Sequence, residues 1–372
     1  MPLQGERLNK PTYSILRSLG GGNVGEAWVG HHEIFERQVV QKRYSTIGLE
    51  DAVAHGEPRL MREITHAHVA EVLEAQFDPD MNNAITFVMP YYRGRSVADA
   101  FDEGYIYSIH DAVKLTMQML DALAHVHRHR RYIHRDMKPG NVFMNADRNH
   151  AYVGDWGSAA AMNDIGQVSA IHGTLLYTPP EGGPADGVMG VTGDVYATGL
   201  TLFEMLNGPF PYATISPVEA ERRVARGRRA LPDNGFEHWD PCIPSDLRTV
   251  VRKAIRLSPS DRYQSCSEFR MRLGRVRCVD WTRAEGDGDE LDGIWEGTWP
   301  PARRESQRRR YRVTSRVLRT GTRALEALES VPGSTWRRFG VADARADPED
   351  RGAVERFFAE VATRAAQRVP AN

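Results

Sequence analysis

The sequence predicts an α+β chain in which a small strand-rich lobe precedes a larger helical lobe, with a C-terminal extension after them. Three observations carry that reading. Short β-branched or aromatic runs bounded by Gly or polar residues fill residues 13–88. From about Ser96 onward the apolar residues recur at helical spacing. Near Asp280 the chain turns charged and Gly-rich and loses its apolar character.

The strands of the first lobe are YSILRSLG, EAWVGHH, RQVVQKRY and ITFVMPYY, with one helix between the third and the fourth. That helix, over 55–65, carries Leu60, Met61 and Ile64 on one side, with Glu57 and Pro58 where it would start. In the second lobe, 108–129 is the clearest helix. There Ala112, Leu115, Met119, Ala122, Leu123 and Val126 form one apolar stripe. The domain reading that follows is 10–279 for the two lobes, 280–310 for an exposed charged linker and 311–372 for a C-terminal extension. The linker rests on the acidic run at 285–292 and the basic run at 303–310. Within the extension, 311–318 alternates like a strand, and 349–368 reads as a helix with Asp347 and Pro348 at its start. Its aromatic residues, Trp295, Trp299, Trp336, Phe357 and Phe358 among them, need burial, so a small α+β unit docked on the lobes or on a partner is expected.

Composition excludes several classes. With 372 residues, 41% hydrophobic and 26% charged, the chain falls in the range of soluble globular proteins. No apolar run approaches the length of a membrane span, and MPLQGERLNK lacks the apolar core of a signal peptide. A formal net charge of −1 gives no overall field toward nucleic acid or an anionic membrane, so neither is expected as a partner. The three cysteines, Cys242, Cys266 and Cys278, are too few and too far apart for a disulfide framework, which points to a reducing, cytoplasmic setting. Only five of the 48 basic residues are lysine, which singles out Lys42 and Lys138.

Two motifs carry chemistry. Gly20, Gly22 and Gly25 form a G-x-G-x-x-G pattern followed by an alternating strand rather than a helix. That context suits a turn between two strands, lying over phosphates, better than a dinucleotide-binding loop. The second motif is His134-Arg135-Asp136-Met137-Lys138-Pro139-Gly140-Asn141. Here the chain resembles the eukaryotic-type Ser/Thr protein kinase family, whose catalytic loop is H-R-D-x-K-P-x-N. Further family motifs follow in order over about residues 13–278. Val39-Val40-Gln41-Lys42 matches V-A-I-K, and Glu57 stands nine residues before His66. Asp155-Trp156-Gly157 matches D-F-G, Thr178-Pro179-Pro180-Glu181 matches A-P-E, and Asp194 to Gly199 matches D-x-x-x-x-G. Arg262 matches the buried arginine that pairs with the A-P-E glutamate.

The resemblance implies the two-lobed protein-kinase fold, ATP and Mg²⁺ as cofactors, and protein substrates phosphorylated on Ser or Thr. The loop of Gly20, Gly22 and Gly25 would cover the phosphates, and Lys42, paired with Glu57, would hold the α- and β-phosphates; Glu63 is an alternative partner. Asp136 would accept the proton of the incoming hydroxyl and Lys138 would steady the γ-phosphate. Asn141 and Asp155 would ligate Mg²⁺. For the adenine, Ala27 and Val40 would form the roof and Phe143 the floor. Met89 would be the gatekeeper, with Pro90 C=O and Tyr92 N–H on the base edge. Trp156 would complete an apolar stack with Met61, Val72 and His134. Arg135 would order a phosphorylated activation segment, with Ser169 and Thr174 as the candidate sites. The alternative is a pseudokinase-type ATP-binding scaffold signalling through its tail, and retention of Lys42, Asp136, Asn141 and Asp155 argues against it. A small-molecule phosphotransferase fits less well, because such enzymes lack the A-P-E and Arg262 elements. The other histidine clusters, His31-His32, His66 with His68, and His125, His127 and His129, have no carboxylate or cysteine in register and read as exposed or capping side chains.

Overall fold

The computed structural model describes residues 13–22, 25–45, 60, 62–77, 84–170, 174–183, 186–232, 236, 238–285, 290–299, 308–338 and 340–367. In the first lobe, β1 (Tyr13–Gly22), β2 (Gly25–His32), β3 (Arg37–Ser45), β4 (Glu74–Phe77) and β5 (Ala84–Pro90) form one antiparallel sheet in the order β1-β2-β3-β5-β4. The Gly-rich motif is the tip of the β1–β2 hairpin, with Gly20 opposite Ala27 and Gly22 opposite Gly25. Glycines suit that tip because no side chain blocks the approach of a ligand to the backbone. Of the helix expected over 55–65, Leu60, Arg62 and Glu63 are helical, whereas Glu57 and Met61 lie outside the described residues.

The second lobe is built on α1 (Val97–Asp102), α2 (Ile109–His129), α3 (Val191–Asn207), α4 (Pro217–Ala225), α5 (Ser245–Ala254) and α6 (Cys266–Leu273). Every residue of the predicted stripe on α2 is buried, and the Ser108 hydroxyl caps that helix by accepting from Asp111 N–H. Helix α3 is buried along almost its whole length. Its Gly199 allows close packing, since a Cβ there would stand 2.8 Å from Ile255 Cγ2 and 2.9 Å from Ala254 Cβ. Short strands β6 (Arg95–Ser96), β8 (Val142–Met144) and β9 (Ala151–Val153) form a small sheet at the lobe junction. Strand β7 (Tyr132–Ile133) pairs with β10 (Ala160–Ala161), and β11 (Val168–Ser169) with β12 (Val188–Met189).

The linker reading for 280–310 is corrected by two strands, β13 (Asp280–Glu285) and β14 (Gly293–Trp299). They join β15 (Arg309–Val317), β16 (Arg323–Ser330), β17 (Arg337–Arg338) and β18 (Ala344–Ala346) in one six-stranded antiparallel sheet. The reason is visible in the register. Trp295, Val313 and Ala327 line up across three strands as a fully buried row, while Glu296 on the other face takes Arg310 (3.2 Å) and Arg312 (3.0 Å). A high charge count is compatible with a strand when the charges pair across it. Helix α7 (Arg351–Gln367) closes the unit, and its first turn is capped by Asp350, which accepts from Ala353 N–H at 2.9 Å, rather than by Asp347.

This unit sits on the helical lobe and shares its core. Phe358 of α7 packs edge-on against Trp281 (5.4 Å) and Trp295 (5.3 Å). Trp295 Nε1 donates to Asp240 at 3.0 Å, Arg351 donates to Trp239 C=O at 2.6 Å, and Arg248 pairs with Glu355 at 2.7 Å. Asp280 accepts from His110 N–H at 2.8 Å and so takes one of the free amides at the start of α2.

Candidate active site

The cleft between the lobes encloses about 300 Å³. Ala27 on β2 and Val40 on β3 line one wall, Phe143 on β8 the opposite one, and Met89, Pro90 and Tyr92 the back edge. Lys42, Asn141 and Asp155 close its inner end. The strand pairing explains how distant residues meet, since Ala27 faces Lys42 across β2–β3 and Val40 faces Met89 across β3–β5. Tyr92 lies parallel to Phe143 with ring centroids 5.6 Å apart. The hairpin bearing Gly20, Gly22 and Gly25 belongs to the same sheet.

Sequence reading missed Leu19, Phe87, Arg95 and Asp99, which also line the cleft. Arg95 adopts a left-handed backbone (φ 60°) and pairs with Asp99 and, at 2.9 Å, with Glu103. One signal was present. Ser96-x-x-Asp99 is a capping box, with Ser96 accepting from Asp99 N–H at 3.0 Å and Asp99 accepting from Ser96 N–H at 3.0 Å.

Lys42 forms an ion pair with Asp155. Its expected partner Glu57 lies outside the described residues. The alternative, Glu63, is exposed and faces Arg130 at 3.8 Å.

Residues of the His134–Asn141 motif form one hydrogen-bonded cluster with Thr174. Asp136 Oδ2 accepts from Lys138 at 2.7 Å and from Asn141 Nδ2 at 3.1 Å, while Oδ1 accepts from Thr174 N–H at 2.9 Å. Lys138 also donates to the Thr174 hydroxyl at 2.5 Å. Burial by itself raises the Asp136 pKa, but the hydrogen bond and charge of Lys138, followed by the Thr174 amide, outweigh it and hold the carboxyl below the usual carboxylate range. The group is therefore an anion at neutral pH. Asn141 commits its Nδ2 to Asp136, so its amide oxygen remains available for a cation beside Asp155. A carboxylate and a carboxamide oxygen lining the cleft are hard ligands suited to Mg²⁺.

Two residues beside this cluster hold left-handed backbone without being glycine, Arg135 (φ 67°) and Asp155 (φ 58°). Such conformations cost on the order of 1–3 kcal/mol and persist only where the surroundings impose them. The surroundings here are identifiable. Asp194, wholly buried on α3, accepts from His134 N–H (2.9 Å), Arg135 N–H (3.0 Å) and His127 Nε2 (2.7 Å). His134 Nε2 reaches Gly154 C=O at 3.0 Å, just before Asp155. Trp156 is buried against His134 (4.5 Å between centroids), and its indole N–H donates to Val153 C=O at 3.2 Å, a bond that phenylalanine cannot make.

The segment from Asp155 to Glu181 is anchored at both ends. Arg135 donates to the carbonyls of Ser158 and, at 2.9 Å, Ser169. Arg262 grips Glu181 through two bonds of 2.7 Å. Thr174, one of the two modification candidates, has its hydroxyl engaged by Lys138, whereas Ser169 is exposed.

Residues 13–271 match the family model described as "Protein kinase domain". The chain is 27% identical over 278 residues to "Probable serine/threonine-protein kinase PknB" of Corynebacterium glutamicum, covering 71% of this chain and 42% of that protein. It is 25% identical over 263 residues to "Serine/threonine-protein kinase PrkC" of Bacillus subtilis (69% and 39% covered). A third relative, "Serine/threonine-protein kinase PknB" of Mycobacterium tuberculosis, is 33% identical over 193 residues (51% and 30% covered). The chain thus spans about two fifths or less of the length of these relatives. Among the described residues, no helix is long and apolar enough to cross a membrane.

Proposed function

The chain belongs to the protein kinase family, and on that premise we propose that it is an ATP- and Mg²⁺-dependent kinase phosphorylating serine or threonine hydroxyls of protein substrates. The observation that carries this reading is the bonding of Asp136, Lys138, Asn141 and Thr174 into one cluster that meets the cleft at Asn141.

Phosphoryl transfer asks the protein mainly to position groups and to balance charge. Ala27, Val40 and Phe143 would clasp the adenine, with Pro90 C=O and Tyr92 N–H at its edge. Lys42 would hold the phosphates from the inner end, and the hairpin of Gly20, Gly22 and Gly25 would cover them with backbone N–H groups. Asn141 and Asp155 would hold Mg²⁺, which when bound neutralises charge on the transferring phosphoryl group. Asp136, ionised and fixed by three donors, would orient the substrate hydroxyl and take its proton, while Lys138 would face the γ-phosphate. Thr174 ties the activation segment to both residues, which couples docking of a protein substrate on that segment to the catalytic pair.

The test is transfer of labelled γ-phosphate to a protein acceptor, followed by phosphoamino-acid analysis. Wild type should yield phosphoserine or phosphothreonine only with a divalent cation, and Asp136→Ala and Asp155→Asn should each lower turnover by about 10²–10⁴-fold. Equal activity of both variants and wild type would refute the assignment.

A further inference from the structure

Five histidines from three separate stretches of the chain form one row behind the cleft. Successive ring centroids are 4.7 Å apart for His129–His125, 4.9 Å for His125–His66, 5.7 Å for His66–His68 and 4.5 Å for His68–His150. The row continues through Tyr152 (4.7 Å from His150) to Tyr92 (4.5 Å from Tyr152), the residue that lies parallel to Phe143 in the cleft. The exposed or capping roles expected from sequence do not describe this arrangement, which only the fold creates.

The row sits where the lobes are joined. His66 and His68 belong to the stretch that leads from the first-lobe helix to β4. Its backbone is bonded to β9 of the second lobe by Val153 N–H to His68 C=O and Ala70 N–H to Val153 C=O, both 2.8 Å. The side chains add to that seam, with His68 Nδ1 at 3.2 Å from Ala151 C=O and His150 Nε2 at 3.0 Å from Ala67 C=O. His66 Nδ1 accepts from His68 N–H at 3.2 Å. This last bond requires a neutral His66, because a protonated ring carries a hydrogen at Nδ1 and has no acceptor left.

The charges around the row do not favour a cation in it. On α2 it faces Asp121, Arg128 and Arg130, and on α6 Arg270, while Glu63 of the first lobe lies against Arg130. Asp121 is paired with Arg270 at 2.6 Å and Glu63 faces Arg130 at 3.8 Å, so both acids already have arginine partners. Among the described residues no group of three or more ligands is placed to hold a metal ion, which leaves the proton as the ligand to consider.

We propose that the histidine row is a proton-sensitive seam between the lobes: neutral rings hold the 64–70 stretch against β9, and protonation loosens it and weakens nucleotide binding next to Tyr92 and Phe143. The nucleotide part rests on the function proposed above; the seam itself does not. Burial, then the neighbouring His125 and His68, push His66 below the ordinary value of 6.5. Burial does the same for His68, and burial followed by His129 for His125. Folded values below the unfolded one mean that this contribution to stability is complete above about pH 6.5 and is lost as the pH falls below it.

The experiment is thermal unfolding of the full chain between pH 7.5 and 5.0, with and without Mg·ADP. His66→Asn keeps an acceptor near Nδ1 but cannot be protonated, and His125→Gln removes a neighbouring charge from a partly exposed position. Over that interval the wild-type midpoint should fall by roughly 2–4 °C more than that of either variant. The stabilisation by Mg·ADP should shrink at acid pH in wild type and less so in the variants. Parallel pH profiles for wild type and both variants would overturn the seam, and a Mg·ADP shift that is independent of pH would overturn its link to the cleft. Absence of any Mg·ADP shift at every pH would instead refute the nucleotide reading, leaving the ligand-free profiles to decide on the seam. Should His66→Asn fail to fold, His125→Gln carries the same comparison.

Discussion

Replacing Glu181 with glutamine isolates the contact that fastens the end of the activation segment. The Arg262 side chain is completely buried, and each of its five N–H groups has an acceptor. Nε bonds Arg256 C=O (2.6 Å), Nη1 bonds Glu181 (2.7 Å) and Thr192 C=O (3.0 Å), and Nη2 bonds Glu181 (2.7 Å) and Leu257 C=O (2.8 Å). The guanidinium also lies 4.7 Å over the Tyr196 ring. Glu181→Gln preserves the shape, but it turns an NH₂ toward one Nη and leaves a buried cation without its anion. Breaking a buried pair from one side costs about 3–5 kcal/mol. At about 2–4 °C per kcal/mol for a domain of this size, the thermal midpoint should drop by roughly 10 °C. Arg262→Met should cost a similar amount, whereas the double variant should lose clearly less than the sum, because no unpaired charge remains. Calorimetry of the four proteins completes the cycle. Additivity within about 0.5 kcal/mol would show that the two residues do not act as a pair and would refute the reasoning.

Four further outcomes follow from the geometry. Thr174→Val keeps the N–H bond to Asp136 but loses the hydroxyl that Lys138 engages, so turnover on a protein substrate should fall by about 10–100-fold at unchanged thermal stability. Trp156→Phe removes the donor to Val153 C=O and some buried volume, and denaturant unfolding should register a loss of about 1–3 kcal/mol. Phe358→Ala, which uncovers Trp281 and Trp295, should cost about 3–5 kcal/mol, and a chain ending at Val279 should have a lower thermal midpoint than the full chain, read by calorimetry.

The residues that meet at the cleft were legible because each stands in a short motif whose chemistry dictates its neighbours. Asp136, Lys138 and Asn141 fall within six residues, and the bonds among them are local. Arg262 and Glu181 are 81 residues apart, and no spacing rule joins them. Only the resemblance did so, and the structure places them 2.7 Å apart. What sequence reading could not reach depends on backbone geometry. Arg95 lines the cleft from a left-handed conformation that its own residue type does not favour, and the histidine row needs three stretches folded onto one another before any ring touches the next.

The linker reading failed for a different physical reason, which bears on how the C-terminal unit relates to the cleft. The linker reading makes the charge runs solvated, yet Leu291 C=O and Asp292 of the acidic run hold the buried Arg323, and Arg310 of the basic run pairs with Glu296 across the sheet. Once charges pair internally, the remaining apolar residues suffice for a core, and that core is continuous with the helical lobe. The contacts reach α2 at one end, where Asp280 meets His110. The same helix holds Asp194 through His127 at its other end and supplies His125 to the histidine row between them. Asp194 in turn sets the backbone of His134 and Arg135 from within the lobe. His134 and Arg135 are thus held from within the lobe by α3 through Asp194, which α2 engages through His127, and the C-terminal unit meets the same α2 near its opposite end through Asp280.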